Sequence, residues 1–453
     1  MFFPVSRLLF AGPLFCAVTN NAAAAGDFIE EFEAELLAGH TEAAIKTAQV
    51  RLADAPGDNQ ARFALGTAQF IQAVEGLGQS LYRYGLRTTF QSRRGIIPLP
   101  FVRLPIPSNP DPEELDYAAF RAMLDKFATD LAKAEATLAL VADGPAELTL
   151  NVGRIKLDYN SDGAGSEDEY FWQLLAIISG ARRFSERDVD QLVIDFDRSD
   201  VAWLRGYCHL LMGISEILLA YDWHEGFEIV FPAFFPIPSS PYRILQESIH
   251  KYQVEPSENL EGRFNKPKDM SFTEWRNTPD GKRAKSLEMS TEIAPIADFI
   301  AFIHLMHWPL AEPERMPHVL EHLQSTAALS RENWTLILAE TDTQAEWIPN
   351  PNQTAALPRM EVSQNDIDGW LMFLDEFEAI LEGRLLIPHW RFEEGISLRR
   401  FFLEPTTFDL LLMIQGSSAL PYLEKGPESQ NETWRRIMEL SRGNIFRNAI
   451  WLN

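Results

Sequence analysis

Basic residues, cysteines and long apolar runs are what this chain has least of. Its 453 residues carry 40 lysines and arginines against 65 aspartates and glutamates, a net charge of −25. A surface of that sign repels phosphate backbones and anionic lipid, which excludes nucleic acid as an expected partner. Only two cysteines occur, Cys16 and Cys208. Cys16 falls in a stretch expected to be a cleaved leader, whose removal would leave Cys208 alone and exclude an intramolecular disulfide. Cys208 sits in the apolar run Trp203-Leu-Arg-Gly-Tyr-Cys-His-Leu-Leu-Met and reads as a buried structural thiol. Glycine signatures are missing too. There is no Gly-x-Ser-x-Gly nucleophile elbow, because Gly416-Ser-Ser418 lacks the second glycine. There is no lysine phosphate loop, and Gly76-Leu-Gly78 lacks the third glycine of a dinucleotide loop. After the leader the most hydrophobic segment is Glu292 to Trp308, yet Asp298, His304 and His307 make it a core helix and not a membrane span.

What is present is an ordinary globular composition, 46% apolar and 23% charged, long enough for one large or two medium domains. Residues 1–25 differ from the rest. Arg7 gives a charged start, Leu8 to Val18 is apolar, and Ala22-Ala-Ala-Ala25 offers small residues for cleavage. That pattern predicts a signal peptide, a chain beginning near Gly26, and an exported protein, periplasmic or secreted. An apolar run of this length, broken by Pro13, is too short to span a bilayer.

From there the periodicity predicts a mostly α fold. Residues 26–142 form a helical-hairpin region. Phe28 to Ala38 is one helix, Thr41 to Leu52 a second, and a third starts at Asp58 after Pro56-Gly57. Ala44, Ala48, Ala61, Gly66 and Ala68 put small residues at helix contacts. This stretch resembles a tetratricopeptide-type hairpin, a family whose stacked hairpins make a groove for peptides or partner proteins. A proline-rich strap over 93–113 follows, with apolar residues interleaved so that it lies against the surface. Leu115 to Val141 resumes as a helix.

Residues 143–182 carry the most specific signal. Asp158, Asn160 and Asp162 alternate, Gly163 follows, and Glu169 closes a run of twelve. The run resembles an EF-hand calcium loop. The resemblance implies side-chain oxygens from Asp158, Asn160 and Asp162, the Ala164 carbonyl, Ser166 directly or through water, and a bidentate Glu169, all on Ca2+. Gly163 would allow the sharp turn. Gly165 stands where the family has a branched apolar residue that pairs with a second loop, and Asp195-Phe-Asp197-Arg-Ser199-Asp200 lacks the glycine such a loop needs. Flanking helices are expected from Gly144-Pro145 (Leu148, Val152 and Ile155 on one face) and from a Ser166-x-x-Glu169 capping box.

Residues 183–453 read as a larger α-helical body. Ser199 and Asp200 can cap a helix from Val201 to Ala220. Phe231 to Pro238 is a second strap, Glu255 to Arg283 a polar surface excursion, and Ser363 with Asp366 starts a helix to Leu381. His304, His307, His318 and His322 have helical spacing that metal ligands use. Asp195, Asp197 and Asp200 read as a capped helix start, and His389, Arg391, Arg399 and Arg400 as a basic cluster that neutralises carboxylates. The expected function is an exported calcium-binding helical protein in which the ion braces the junction of two helical parts. The alternatives are a partner- or peptide-binding module on the N-terminal hairpins, and a metal-dependent or other hydrolase using the histidine and carboxylate groups.

Overall fold

A computed structural model describes residues 28–87, 104–166, 169–178, 189–241, 266–341, 345–356 and 361–440. The stretch expected as a signal peptide (1–25), the expected strap up to residue 103, and residues 179–182 of the expected calcium unit lie outside them. The fold is mostly helical, as the periodicity predicts.

Helices α1 (28–38) and α2 (Thr41–Asp54) meet at a tight turn on Gly39, whose φ is 80°. Helix α3 (Asn59–Arg83) is N-capped by Asp58, whose side chain accepts from the Ala61 amide. It is apolar or small on most of its faces and is therefore the most enclosed helix of this half, sandwiched between α2 and α4 (Tyr117–Leu138). Helix α4 in turn packs on α6 (Arg198–Ala220), α6 on the helix Arg315–Ala339, and that one on Gln364–Leu381. One apolar cluster runs from Phe28 through Trp334 and Trp370 to Ile437. A smaller one around Tyr221, Met316 and Phe402 fills the far side. Cys208 is fully buried in the middle of α6, and burial pushes its thiol above the usual range.

Strands are short. β1 (Leu148–Asn151) pairs antiparallel with β2 (Val193–Phe196), Leu148 facing Phe196. This corrects the expected helix through 144–155, which is β1 followed by a 3₁₀ turn at Val152–Arg154. Buried Leu148, Leu150 and Val152 also satisfy a period of two, and the presence of β2 as partner decides between the two readings. Leu115, between the first strap and α4, pairs with the second strap. The Leu115 amide donates to the Ile237 carbonyl at 3.0 Å, and the Ser239 amide to the Leu115 carbonyl at 2.9 Å.

Two further expectations are corrected. The stretch expected as a polar excursion to Arg283 contains a short helix, Phe272–Arg276, and the start of a long one, Pro279–Leu305. Ser271 and Glu274 form a capping box, and Thr278 caps the long helix with Pro279 at its first position. Among its described residues that long helix is no core helix where it is most apolar, since Ile296 and Ile300 are 63% and 62% exposed. No described helix is long and apolar enough to cross a membrane.

Candidate metal centre

The loop of residues 158–169 is closed at its neck by backbone pairing. The Leu157 amide donates to the Glu169 carbonyl at 2.9 Å, the Phe171 amide to the Ile155 carbonyl at 2.9 Å, and Lys156 bridges Tyr170. Only the exit is a helix, α5 (Phe171–Ile178); the approach is β1 and its 3₁₀ turn. The unit is thus strand, loop, helix.

Inside the loop the side-chain oxygens of Asp158, Asn160, Asp162 and Glu169 accept hydrogen bonds, nearly all from backbone amides. Asp158 accepts from the amides of Asp162 and Gly163 at 3.1 and 2.9 Å, and Asn160 Oδ1 from Asp162 at 2.9 Å. Asp162 accepts from Ala164 at 3.1 Å and holds Asn160 Nδ2 with its other oxygen, also at 3.1 Å. Glu169 reaches back across the loop to the amides of Tyr159, Asn160 and Ser166 at 2.9, 3.2 and 2.8 Å. Gly163 turns at φ 99° and Ser161 at φ 60°, left-handed conformations that wind the loop tightly enough for these contacts.

The donor chemistry fits a hard cation: carboxylate and amide oxygens with lone pairs to spare, two of the carboxylates buried. Among the described residues, no three His, Cys, Asp or Glu side chains converge in a metal-holding arrangement. A cation here would compete with the loop's own amides for the same oxygens.

The neighbours of the loop are what sequence reasoning missed. Glu75, on α3, lies beneath it. Its Oε2 accepts from Thr41 Oγ1 at 2.9 Å and from the Asp158 amide at 3.0 Å. Burial first, then the nearby Asp158 and Glu169, raise its pKa from the ordinary 4.5 to about 7. Gln79 Nε2 holds the Asp158 carbonyl at 2.8 Å. The Tyr159 ring is fully buried over Gly78, where an added Cβ would lie 2.1 Å from a ring carbon. The one sequence signal was Glu75 itself, a carboxylate on the buried side of an apolar helix, with Gly76 and Gly78 beside it.

Gly165 also finds its reason. Its amide donates to the Ala38 carbonyl at 3.3 Å, and the backbone of Gly39 comes so close that a Cβ there would lie 2.2 Å from Gly165 N. The loop position that pairs with a second loop in the resembled family here meets the α1–α2 turn. Lys156 adds a bond from its amide to the Leu36 carbonyl at 3.1 Å.

The remaining candidates disperse. His307 Nδ1 pairs with Asp409 at 3.0 Å, while His322 Nδ1 lies 2.9 Å from His209 Nδ1 of α6. Asp195 accepts from Thr149 Oγ1 at 2.6 Å, and Asp197, not Ser199, is the N-cap of α6, in a capping box with Asp200. Arg400 pairs with Glu404 and Glu424, and Arg391 lies over the Trp390 ring.

The His322 contact predicts a pH effect. Burial, then His209 and His318, lower the His322 pKa from 6.5 to about 4, against the pull of Glu135. The unfolded chain therefore takes up a proton near pH 6.5 that the folded chain refuses, and stability falls as pH drops from 6.5 towards 4. The full linkage would be near 3 kcal/mol, and partial exposure of the ring reduces it to about 1–2 kcal/mol. Urea midpoints of wild type and His322→Gln should diverge by that amount between pH 7 and 4.5. Parallel midpoints would show the ring freely solvated.

Comparison with protein-family models, with curated proteins and with solved structures finds no match to this chain.

Proposed function

We propose that this chain is a calcium-braced helical protein, the ion held by Asp158, Asn160, Asp162, the Ala164 carbonyl and Glu169. The observation that carries the reading is a charge imbalance at one junction. Glu75, Asp158 and Glu169 are all buried around the neck of the loop, at 9%, 8% and 0% exposure, and among the described residues no lysine or arginine pairs with any of them. Burying carboxylates without a counter-charge is costly, and a divalent cation on the loop oxygens offsets that cost for the whole group. The brace would act between parts. The loop is bonded to the α1–α2 turn through Gly165 and Lys156, to α3 through Glu75 and Gln79, and to α5 through its neck.

Export would suit this role, because loops with dissociation constants of about 10⁻⁴–10⁻³ M are filled where calcium is millimolar. The test is thermal and urea unfolding of the full chain in calcium and in chelator. At free calcium near one hundred times the dissociation constant the gain should be about 2.7 kcal/mol. Glu169→Gln and Asp158→Ala should each remove the calcium-dependent part of the stability, whatever they do to the calcium-free protein. A wild-type curve that does not move with calcium up to 10 mM would overturn the proposal.

A further inference from the structure

A hollow of about 330 Å³ lies between α3 and α6 and reaches the neck of the loop at Ile155 and Phe171. Along α3 its lining runs from Phe63 to Leu77, and along α6 from Asp200 to Leu218. At 1.5 Å per residue those stretches are roughly 21 and 27 Å long, so the hollow is a slot and not a round cavity. Its walls are aliphatic and aromatic, with β1 and α5 closing one side through Leu150, Phe171 and Leu174. An apolar cavity of about 150 Å³ takes benzene, which gives this one room for roughly a dozen carbons.

The polar groups along it are few. Trp203 Nε1 and Thr67 Oγ1 are buried without a hydrogen-bond partner, and both residues line the slot. Trp203 stands at an aromatic end, its ring 5.4 Å from Trp347 and 5.0 Å from Tyr207. Among the described residues no lysine, arginine or histidine lines the slot, and the only carboxylate that does is Asp200, already holding the Asp197 amide at 3.0 Å. A buried N–H without an acceptor is costly, so the slot asks for an oxygen beside Trp203. An anionic oxygen would be buried with no cation among the described lining residues, a cost that a neutral oxygen does not carry.

We propose that this slot binds a single unbranched hydrocarbon chain of about twelve carbons ending in a neutral oxygen, an alcohol or an ester, which accepts the Trp203 indole N–H. The chain lies lengthwise between α3 and α6. Recognition rests on length and on the absence of charge, because most of the surface offered is apolar.

The experiment is isothermal calorimetry of the full chain at pH 8 with 1-dodecanol and with dodecanoate. Dodecanol should bind one to one, with dodecanoate at least tenfold weaker. Leu211→Trp, which fills the slot, should abolish binding, and Ile214→Phe is a milder filling variant should the first fail to fold. Trp203→Phe should weaken dodecanol about fivefold, the size of one neutral hydrogen bond, without changing stoichiometry. The proposal is overturned if folded wild type takes up no dodecanol, if dodecanoate binds as well as the alcohol, or if folded filling variants still bind.

Discussion

Gly39→Ala should lower the stability of the protein by about 3 kcal/mol, far more than an alanine usually costs in a surface turn. Two effects add. Gly39 has φ 80°, a left-handed conformation that costs an L-residue about 1–2 kcal/mol. The new Cβ would also lie 2.2 Å from Gly165 N and 2.7 Å from Gly165 Cα. Both are backbone atoms, so no rotamer change relieves the overlap. The α1–α2 turn and the loop must move apart, which weakens the Gly165–Ala38 hydrogen bond and opens Lys156–Leu36 beside it. Gly57→Ala is the control, since a Cβ there meets nothing within 4 Å and its φ is not in the left-handed range. It should be neutral or slightly stabilising. Urea midpoints with unchanged slopes would measure both. A Gly39→Ala loss under about 1 kcal/mol would mean that the loop is not seated on the turn.

The helical class was readable because it is a local property. Asp58, Ser363 and the amphipathic run of α4 mark their helices within a few residues of chain. Boundaries failed where two periods fit the same residues, as at Leu148, Leu150 and Val152, and where a start signal was overlooked, as at Ser271 and Thr278. The composition of the loop was equally local, and the sequence ran Asp158 to Glu169 in the right order. Its surroundings were not. Glu75 and Gln79 come from α3, roughly eighty positions earlier in the chain, and nothing near residue 158 signals which helix will pack beneath it. Gly165 looked like a departure from a family pattern until Gly39 stood against it. The slot between α3 and α6 was invisible for the same reason, because an apolar helix face reads alike whether it meets a neighbour or a hollow.

The second large effect is expected at Glu75. In chelator, the stability difference between Glu75→Gln and wild type should grow by about 3 kcal/mol in favour of the variant as pH rises from 4.5 to 8. The sign follows from the raised pKa. With a folded pKa of about 7 against an ordinary 4.5, the folded chain keeps a proton that the unfolded chain has already lost. The stability this contributes is complete below pH 4.5 and is lost as pH climbs through 7. Glutamine keeps an oxygen for the Thr41 hydroxyl and the Asp158 amide but has no charge to bury, so its curve stays flat where that of wild type falls. His322 tilts the curve the opposite way between pH 4 and 6.5, so the two slopes partly cancel in wild type and a flat wild-type profile alone decides nothing. The paired variants separate them: removing His322 should expose the fall due to Glu75, and removing Glu75 the rise due to His322. Calcium supplies the last discrimination. A cation on Asp158 and Glu169 favours the ionised form of Glu75 beside them, so saturating calcium should shrink the gap between Glu75→Gln and wild type while leaving the His322 effect untouched. If the gap keeps its size in calcium, the ion is not bound next to Glu75. If there is no gap even in chelator, the carboxyl is solvated and the charge imbalance beneath the loop does not exist.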